Sequence, residues 1–154
     1  MSIEIGTAAP DFKIQTDAEE TLSLKSLKGS RIILYFYPKD DTSGCTKQAC
    51  AFKEKMNDFK KHNTRIIGLS KDSIKKHIKF KNKYDLNFDL GLDETGSIYD
   101  DYGVWKEKSM YGRKYMGIER STFLINEKGI VLKEWRKVKV NGHIDSVFSA
   151  ILAL

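Results

Sequence analysis

Apolar runs and helical spacings predict alternating strands and helices in the first half of the chain. Residues 32–37 form an unbroken apolar run, typical of a strand buried on both faces. Pro38 ends this strand because proline lacks the N–H that a sheet ladder needs. A helix over about 44–61 is predicted next, since apolar residues recur there at spacings of four and three. The predicted apolar face consists of Cys45, Ala49, Phe52, Met56 and Phe59.

A second strand and a second helix follow. Residues 65–69 form another apolar run, and Asp72 or Ser73 is suited to cap a helix over about 74–84. The spacing within that helix places Ile74, Ile78 and, near its end, Tyr84 toward the core. Strand, helix, strand and helix in this order are typical of parallel strands joined by crossover helices.

Both ends of the chain have the pattern of β-hairpins. Near the N-terminus, alternating apolar residues flank a turn at 17–20. Residues 122–125 and 131–135 flank a second turn, in which Gly129 suits a left-handed position. Asn141 can then cap a final helix. Its apolar face contains Ile144, Val147, Phe148 and Ile151.

The stretch between these regions is less regular. A short segment near 88–90 and a helical turn near 97–102 are predicted, and residues 105–117, which lack a clean period, are interpreted as a loop with at most part of a strand. The whole chain, 1–154, is therefore expected to form a single α/β domain with a thioredoxin-like fold. In this fold a central mixed β-sheet is flanked by helices, here with an extra N-terminal β-hairpin.

Composition and charge narrow the possible functions. The net charge of +6 comes mainly from scattered lysines, and the densest group, within 71–83, is typical of a solvated helix face. No nucleic-acid motif, signal peptide or membrane-length apolar run is present, so we expect a cytoplasmic protein that binds neither nucleic acid nor membrane. Structural disulfides are rare in the cytoplasm, which favours redox chemistry or metal binding for the two cysteines. A zinc site is disfavoured because the histidines are scattered.

Cys45 and Cys50 have different predicted settings. Cys45 falls in the first turn of its helix, where free backbone N–H groups and the positive end of the helix dipole favour a thiolate. Cys50 lies off the apolar face. On a continuous helix the two Cα atoms would be roughly 8–9 Å apart, beyond the limit of about 7 Å for a disulfide. A bridge between them therefore requires part of the helix to unwind.

Several short motifs resemble one known family. Pro38-x-x-x-Thr42-x-x-Cys45 is similar to the active-site pattern of peroxiredoxins, and residues 45–50 resemble the bacterioferritin comigratory protein, or peroxiredoxin Q, subfamily. One departure is Ser43, where that subfamily usually has proline, so the loop before the helix would be less rigid. Further similar segments are spread over nearly the whole chain. They lie at residues 6–12, 35–39, 104–108, 110–112 and 120–125.

This resemblance implies a reaction and the residues that perform it. Cys45 would be the peroxidatic cysteine and Cys50 the resolving cysteine, with Thr42, Pro38 and Arg120 completing the pocket. Hydrogen peroxide or an organic hydroperoxide would convert Cys45 to a sulfenic acid, which Cys50 would condense with to form an intramolecular disulfide. Thioredoxin or a similar dithiol would reduce that disulfide. No cofactor or metal is expected, and a monomer suffices because resolution occurs within one chain.

The chemistry of the pocket residues is consistent with these roles. The Thr42 hydroxyl, within one turn of Cys45, can donate to one peroxide oxygen and accept from the other. Arg120 begins a predicted core strand, and its guanidinium would stabilise the thiolate and bind the peroxide. Pro38 would shield the sulfur from water. Gln48 either positions Arg120 or faces solvent, and the sequence leaves both open.

Two other functions could use the same cysteines. A redox sensor or chaperone-like module would also oxidise Cys45, but it would not cycle rapidly with a dithiol. A thiol–disulfide oxidoreductase is disfavoured because its motif is Cys-x-x-Cys, whereas four residues separate Cys45 from Cys50. Trp105 and residues 111–115 could either line the pocket or cover the core.

Overall fold

The structure is a computed structural model that describes residues 3–154, so the first two residues of the N-terminus interpreted above lie outside it. The described residues contain nine strands, four α-helices and a one-turn 3-10 helix at Lys25–Leu27. The strands are β1 (Lys13–Thr16), β2 (Thr21–Ser23), β3 (Arg31–Phe36), β4 (Thr64–Leu69), β5 (Asp89–Leu92), β6 (Trp105–Met110), β7 (Arg113–Ile118), β8 (Ser121–Ile125) and β9 (Val131–Trp135). The helices are α1 (Ser43–Lys61), α2 (Ile74–Tyr84), α3 (Ser97–Asp101) and α4 (His143–Leu152).

Seven of the strands form one mixed sheet in the order β2-β1-β5-β4-β3-β8-β9. Strands β3, β4 and β5 are parallel neighbours, because α1 and α2 are the crossovers between them. The flanking pairs, β1 with β5 and β3 with β8, are antiparallel. The α/β prediction with a central mixed sheet is thus confirmed, and the N-terminal hairpin, β1–β2, extends that sheet at one edge.

The sheet separates two hydrophobic cores, and β3 contributes to both. Ile32, Leu34 and Phe36 belong to one core, whereas Ile33 and Tyr35 belong to the other. The first core also contains residues of the N-terminal segment and α3, and the second contains residues of α1, α2 and α4. This alternation explains why β3 is apolar at every position after Arg31.

The helix and hairpin predictions nearest the two cysteines are confirmed. The predicted helix at 44–61 is α1, and its predicted apolar face is buried at all five positions. The C-terminal hairpin is β8–β9, in which Gly129 has a φ of 83°. None of the helices in residues 3–154 is long and apolar enough to cross a membrane.

The prediction of which face of α2 packs inward is only partly correct: Tyr84 packs against the core, but Ile78 does not. Ser73 caps α2 as expected, accepting from the backbone N–H of Lys76 at 3.2 Å. However, His77 and Phe80 are the buried residues, and Ile78 is 38% exposed. The helix is rotated because the His77 ring has buried hydrogen-bond partners, which make its burial compatible with the core.

Residues 105–117 are mostly a hairpin rather than a loop. Strands β6 and β7 pair antiparallel as a separate two-stranded sheet. The turn residues Tyr111 and Gly112 both have positive φ, 52° and 76°, as a type I′ turn requires. Most side chains on both faces are exposed, so no apolar alternation marked these strands in the sequence.

Asn141 does not cap the final helix, contrary to the prediction. Gly142 occupies the N-cap position of α4, with a φ of 74°. The Asn141 side chain instead accepts a hydrogen bond from the Lys47 ammonium of α1. The start of α4 therefore has no side-chain cap, and its N-cap position is occupied by a glycine in the left-handed conformation.

Candidate active site

Cys45 lies where β3 ends and α1 begins. It is the third residue of α1 and is only 2% exposed, with its side chain in the core that α1, α2 and α4 cover. Its place in the first turn is as predicted, so unpaired backbone N–H groups and the positive end of the helix dipole are nearby. These features favour a negative charge on the sulfur.

Arg120 reaches the Cys45 sulfur from the neighbouring strand. It immediately precedes β8, whose first residue, Ser121, pairs with Phe36 at the end of β3. Its Nη2 donates to Cys45 Sγ at 3.3 Å. A Cβ at Gly44 would lie 3.3 Å from that same Nη2, so the glycine leaves room for the guanidinium. The structure thus brings together two of the residues that the sequence singled out.

Gln48 is one turn after Cys45 and faces inward, which resolves the two alternatives left by the sequence. Its side chain is fully buried, and its Oε1 accepts from Arg120 Nη1 at 2.5 Å. The guanidinium therefore spans Gln48 and Cys45 with two different nitrogens. The Gln48 Nε2 is buried without a protein partner and is a free donor beside the site.

Thr42 and Pro38 are exposed residues of the loop between β3 and α1. Thr42 is the N-cap residue of α1, but its hydroxyl makes no capping hydrogen bond. Instead, it donates to the Lys39 carbonyl at 2.9 Å, which leaves its lone pairs free to accept from a ligand. Pro38 follows the buried Tyr37 at the end of the strand.

Cys50 is half-buried in the second turn of the same unbroken helix. Both cysteines are free thiols. The continuous helix between them agrees with the spacing argument, since a disulfide would need the start of α1 to unwind.

Two further titratable groups lie near Arg120, and no sequence pattern indicated either of them. Burial and the Arg120 charge lower the pKa of the Lys108 ammonium, while Cys45 opposes that shift. Burial and Arg120 also lower the pKa of His143 from 6.5 to about 4, so His143 is neutral at pH 7. Its Nε2 makes a hydrogen bond of 2.8 Å with the Thr122 hydroxyl. Because the His143 imidazole is uncharged at pH 7, it does not repel the Arg120 guanidinium.

The lowered pKa of His143 predicts a loss of stability in acid. Since its folded pKa is about 4 and its ordinary value is 6.5, unfolding takes up a proton between these two pH values. The free energy of unfolding should fall by up to about 3 kcal/mol as the pH drops through this window. Urea unfolding at about pH 7 and about pH 4.5 measures the change.

The matched control for this prediction is His143→Gln, which keeps a polar side chain but does not titrate. The wild type should exceed this variant in stability by more at neutral pH than in acid. A difference between the two proteins that stays constant across the window would contradict the prediction.

Trp105 and Tyr111, two of the aromatic residues considered from the sequence, lie away from the core that contains Cys45. Trp105 is half-buried against the core on the other side of the sheet, with Lys71 Nζ 4.0 Å above its ring. Tyr111 is 99% exposed at the tip of the β6–β7 hairpin. In residues 3–154 no cluster of three or more His, Cys, Asp or Glu side chains could hold a metal ion.

Comparison with known proteins places this geometry in a family. Residues 5–134 match the AhpC/TSA family. This chain belongs to the AhpC/TSA family. It is 51% identical to a putative peroxiredoxin Bcp of Coxiella burnetii, over 96% of this chain and 97% of that protein. It is 50% identical to peroxiredoxin Bcp of Bacillus subtilis, over 94% and 92% of the two chains.

A solved structure of this family shares the fold. The bacterioferritin comigratory protein of Xanthomonas campestris, described for its alkyl peroxide reduction activity, superposes with a TM-score of 0.87. It is 39% identical, and the superposition covers 92% of this chain and 90% of that one. The predicted thioredoxin-like fold and the resemblance to the Bcp or peroxiredoxin Q group of this family are therefore confirmed.

Proposed function

We propose that this chain is a thiol peroxidase whose reacting atom is the Cys45 sulfur. The contact between Arg120 Nη2 and Cys45 Sγ in the first turn of α1 carries this proposal. The Cys45 thiol thus lies beside a permanent positive charge and at a helix N-terminus, in a chain that belongs to the AhpC/TSA family.

In the first step the thiolate attacks one peroxide oxygen. The S–O bond forms as the O–O bond breaks, and the departing hydroxide or alkoxide takes a proton from solvent and leaves as water or an alcohol. Arg120 stabilises the negative charge as it moves from sulfur to the departing oxygen, and Gln48 holds the guanidinium in place. The Thr42 hydroxyl, which donates to Lys39, accepts from the O–H of the peroxide. Pro38 limits the access of water.

In the second step Cys50 resolves the Cys45 sulfenic acid. The S–S bond forms as the S–O bond breaks, and water leaves with the proton of the Cys50 thiol. The first turns of α1 unwind to bring the two sulfurs together. An external dithiol then returns both cysteines to thiols by exchange, and thioredoxin or a similar protein would supply it.

The substrates in this proposal are hydrogen peroxide and organic hydroperoxides. The alkyl peroxide reduction named for the X. campestris relative supports the organic class. Because both cysteines lie on one helix, a monomer suffices, and we treat residues 1–154 as one peroxiredoxin domain. Dependence on a dithiol favours the cytoplasm, where such reductants keep thiols reduced.

Adding one equivalent of hydrogen peroxide to the reduced protein tests this function. The wild type should lose both free thiols and about 2 Da of mass. The Cys50→Ser variant should instead gain about 16 Da as a sulfenic acid that a dimedone probe captures. Intact-protein mass spectrometry and a thiol count measure both results.

Further additions of peroxide separate the enzyme from the redox sensor. With thioredoxin and its reductase present, the wild type should consume many equivalents, whereas a sensor would be oxidised without rapid cycling. Survival of both thiols after the first equivalent would refute the peroxidase function.

A further inference from the structure

A buried ionisable pair connects the loop before α1 to α2 and β5. His77 of α2 is fully buried, and the Asp40 side chain is 5% exposed. His77 Nδ1 lies 2.7 Å from Asp40 Oδ2, and its Nε2 lies 2.9 Å from the Gly91 carbonyl oxygen of β5. The other Asp40 oxygen accepts from the Tyr37 hydroxyl at 2.5 Å. The sulfur chemistry described above uses none of these groups.

Every polar atom of the two side chains has a hydrogen-bond partner. A carbonyl oxygen only accepts, so His77 Nε2 carries a hydrogen and donates to Gly91. Nδ1 is hydrogen-bonded to the Asp40 carboxylate at 2.7 Å, so neither ionisable group is buried without a partner.

The same pair fixes the path of the loop toward the active site. The Asp40 N–H donates to Asp72 Oδ2 at 2.8 Å, and that oxygen also accepts from the Ser70 hydroxyl at 2.7 Å. Asp40 is therefore held both by its backbone and by its side chain. Thr42, whose hydroxyl accepts from the peroxide in the proposed mechanism, is only two residues further on.

We propose that Asp40 and His77 are positioning residues that hold the 38–42 loop so that Thr42 faces the peroxide bound at Cys45. They touch neither the sulfur nor the substrate, and they act through the loop backbone. This role rests on the peroxidase function proposed above. Because a displacement of about 1 Å can cost roughly a hundredfold in rate, loss of this anchor should slow the peroxide reaction specifically.

The test compares two reactions of Cys45 in reduced Asp40→Ala protein. Alanine leaves the Tyr37 hydroxyl and the His77 ring without their partner. The second-order rate constant with hydrogen peroxide should fall at least about tenfold, while alkylation by iodoacetamide should change less than about twofold. Alkylation needs only the thiolate. A change in the ratio of the two rates therefore reports the positioning of the peroxide, because a loss of thiolate or of global stability would change both rates.

Two aspartate-to-asparagine variants provide matched controls. Asp40→Asn can accept from Tyr37 and donate to a neutral His77, so its peroxide rate should stay within about threefold of the wild type. Asp85→Asn changes an exposed aspartate outside this loop, at the C-cap of α2. Its rate should be unchanged, and asparagine tolerates the positive φ of 51° at this position.

A second variant covers the case in which Asp40→Ala does not fold. His77→Gln can keep only one of the two hydrogen bonds of the ring, and it should show the same selective loss in the peroxide rate. Wild-type rates, or equal losses in both reactions in the folded variants, would overturn the positioning role. Failure of the wild type itself to react with peroxide would instead refute the peroxidase function.

Discussion

Replacing Cys45 by serine should lower peroxide turnover by at least about four orders of magnitude. A serine hydroxyl is not ionised near neutral pH, and it forms no sulfenic acid, so neither step of the cycle can occur. Arg120 would then face an oxygen that cannot carry the charge which the thiolate carried. Consumption of hydrogen peroxide in the presence of thioredoxin and its reductase measures the loss.

This result requires that the Cys45→Ser protein is folded and still contains Cys50. Cys45 is almost completely buried, but serine differs from it by one atom, and circular dichroism can establish that the fold persists. Cys50→Ser should still react with the first equivalent of peroxide, which separates the peroxidatic role from the resolving role. Turnover by Cys45→Ser comparable to the wild type would refute the assignment of Cys45.

Replacing Arg120 by alanine should give the second-largest effect. The peroxide rate constant is expected to fall by roughly 10²–10³, corresponding to about 2.7–4 kcal/mol of transition-state stabilisation. Alkylation of Cys45 by iodoacetamide at neutral pH should also slow, by about tenfold, because the guanidinium no longer favours the thiolate. Stopped-flow mixing with peroxide and timed alkylation give the two rates.

Arg120→Lys distinguishes charge from geometry in this site. Lysine keeps the positive charge, so alkylation should remain close to the wild type. It cannot reproduce the fork that reaches Cys45 with one nitrogen and Gln48 with another, so the peroxide rate should still fall. Wild-type rates in Arg120→Ala would show that the contact at 3.3 Å has no catalytic role.

Local patterns predicted the central elements because burial there is nearly uniform. The strand β3 is covered on both faces, and α1 presents one apolar face to the sheet, so run length and helical spacing were sufficient. The pattern failed for α2, where a buried histidine replaces an apolar residue on the inner face. Hydrophobicity alone cannot identify a polar side chain whose partners make burial possible.

Most of the features that could not be predicted from the sequence are contacts between residues that are far apart in it. Gln48 and Arg120 are 72 positions apart, and Asp40 and His77 are 37 apart. The motifs indicated Cys45, Thr42 and Arg120, and they left the role of Gln48 open, but no pattern indicated that His77 would hold Asp40. The β6–β7 hairpin escaped prediction for a different reason, since its exposed faces lack the apolar alternation that marks a half-buried strand.

The distribution of side-chain size along α1 would limit how much of the helix unwinds in the proposed catalytic cycle. The two turns that contain the cysteines bury only small apolar side chains, Cys45 and Ala49, together with Gln48, whereas the rest of the helix buries Phe52, Met56 and Phe59. Unwinding the start of the helix therefore exposes little apolar area, while extending it to Phe52 would cost several times more. In the proposed cycle the structural change would therefore stay within a short segment, and the rest of α1 would remain folded.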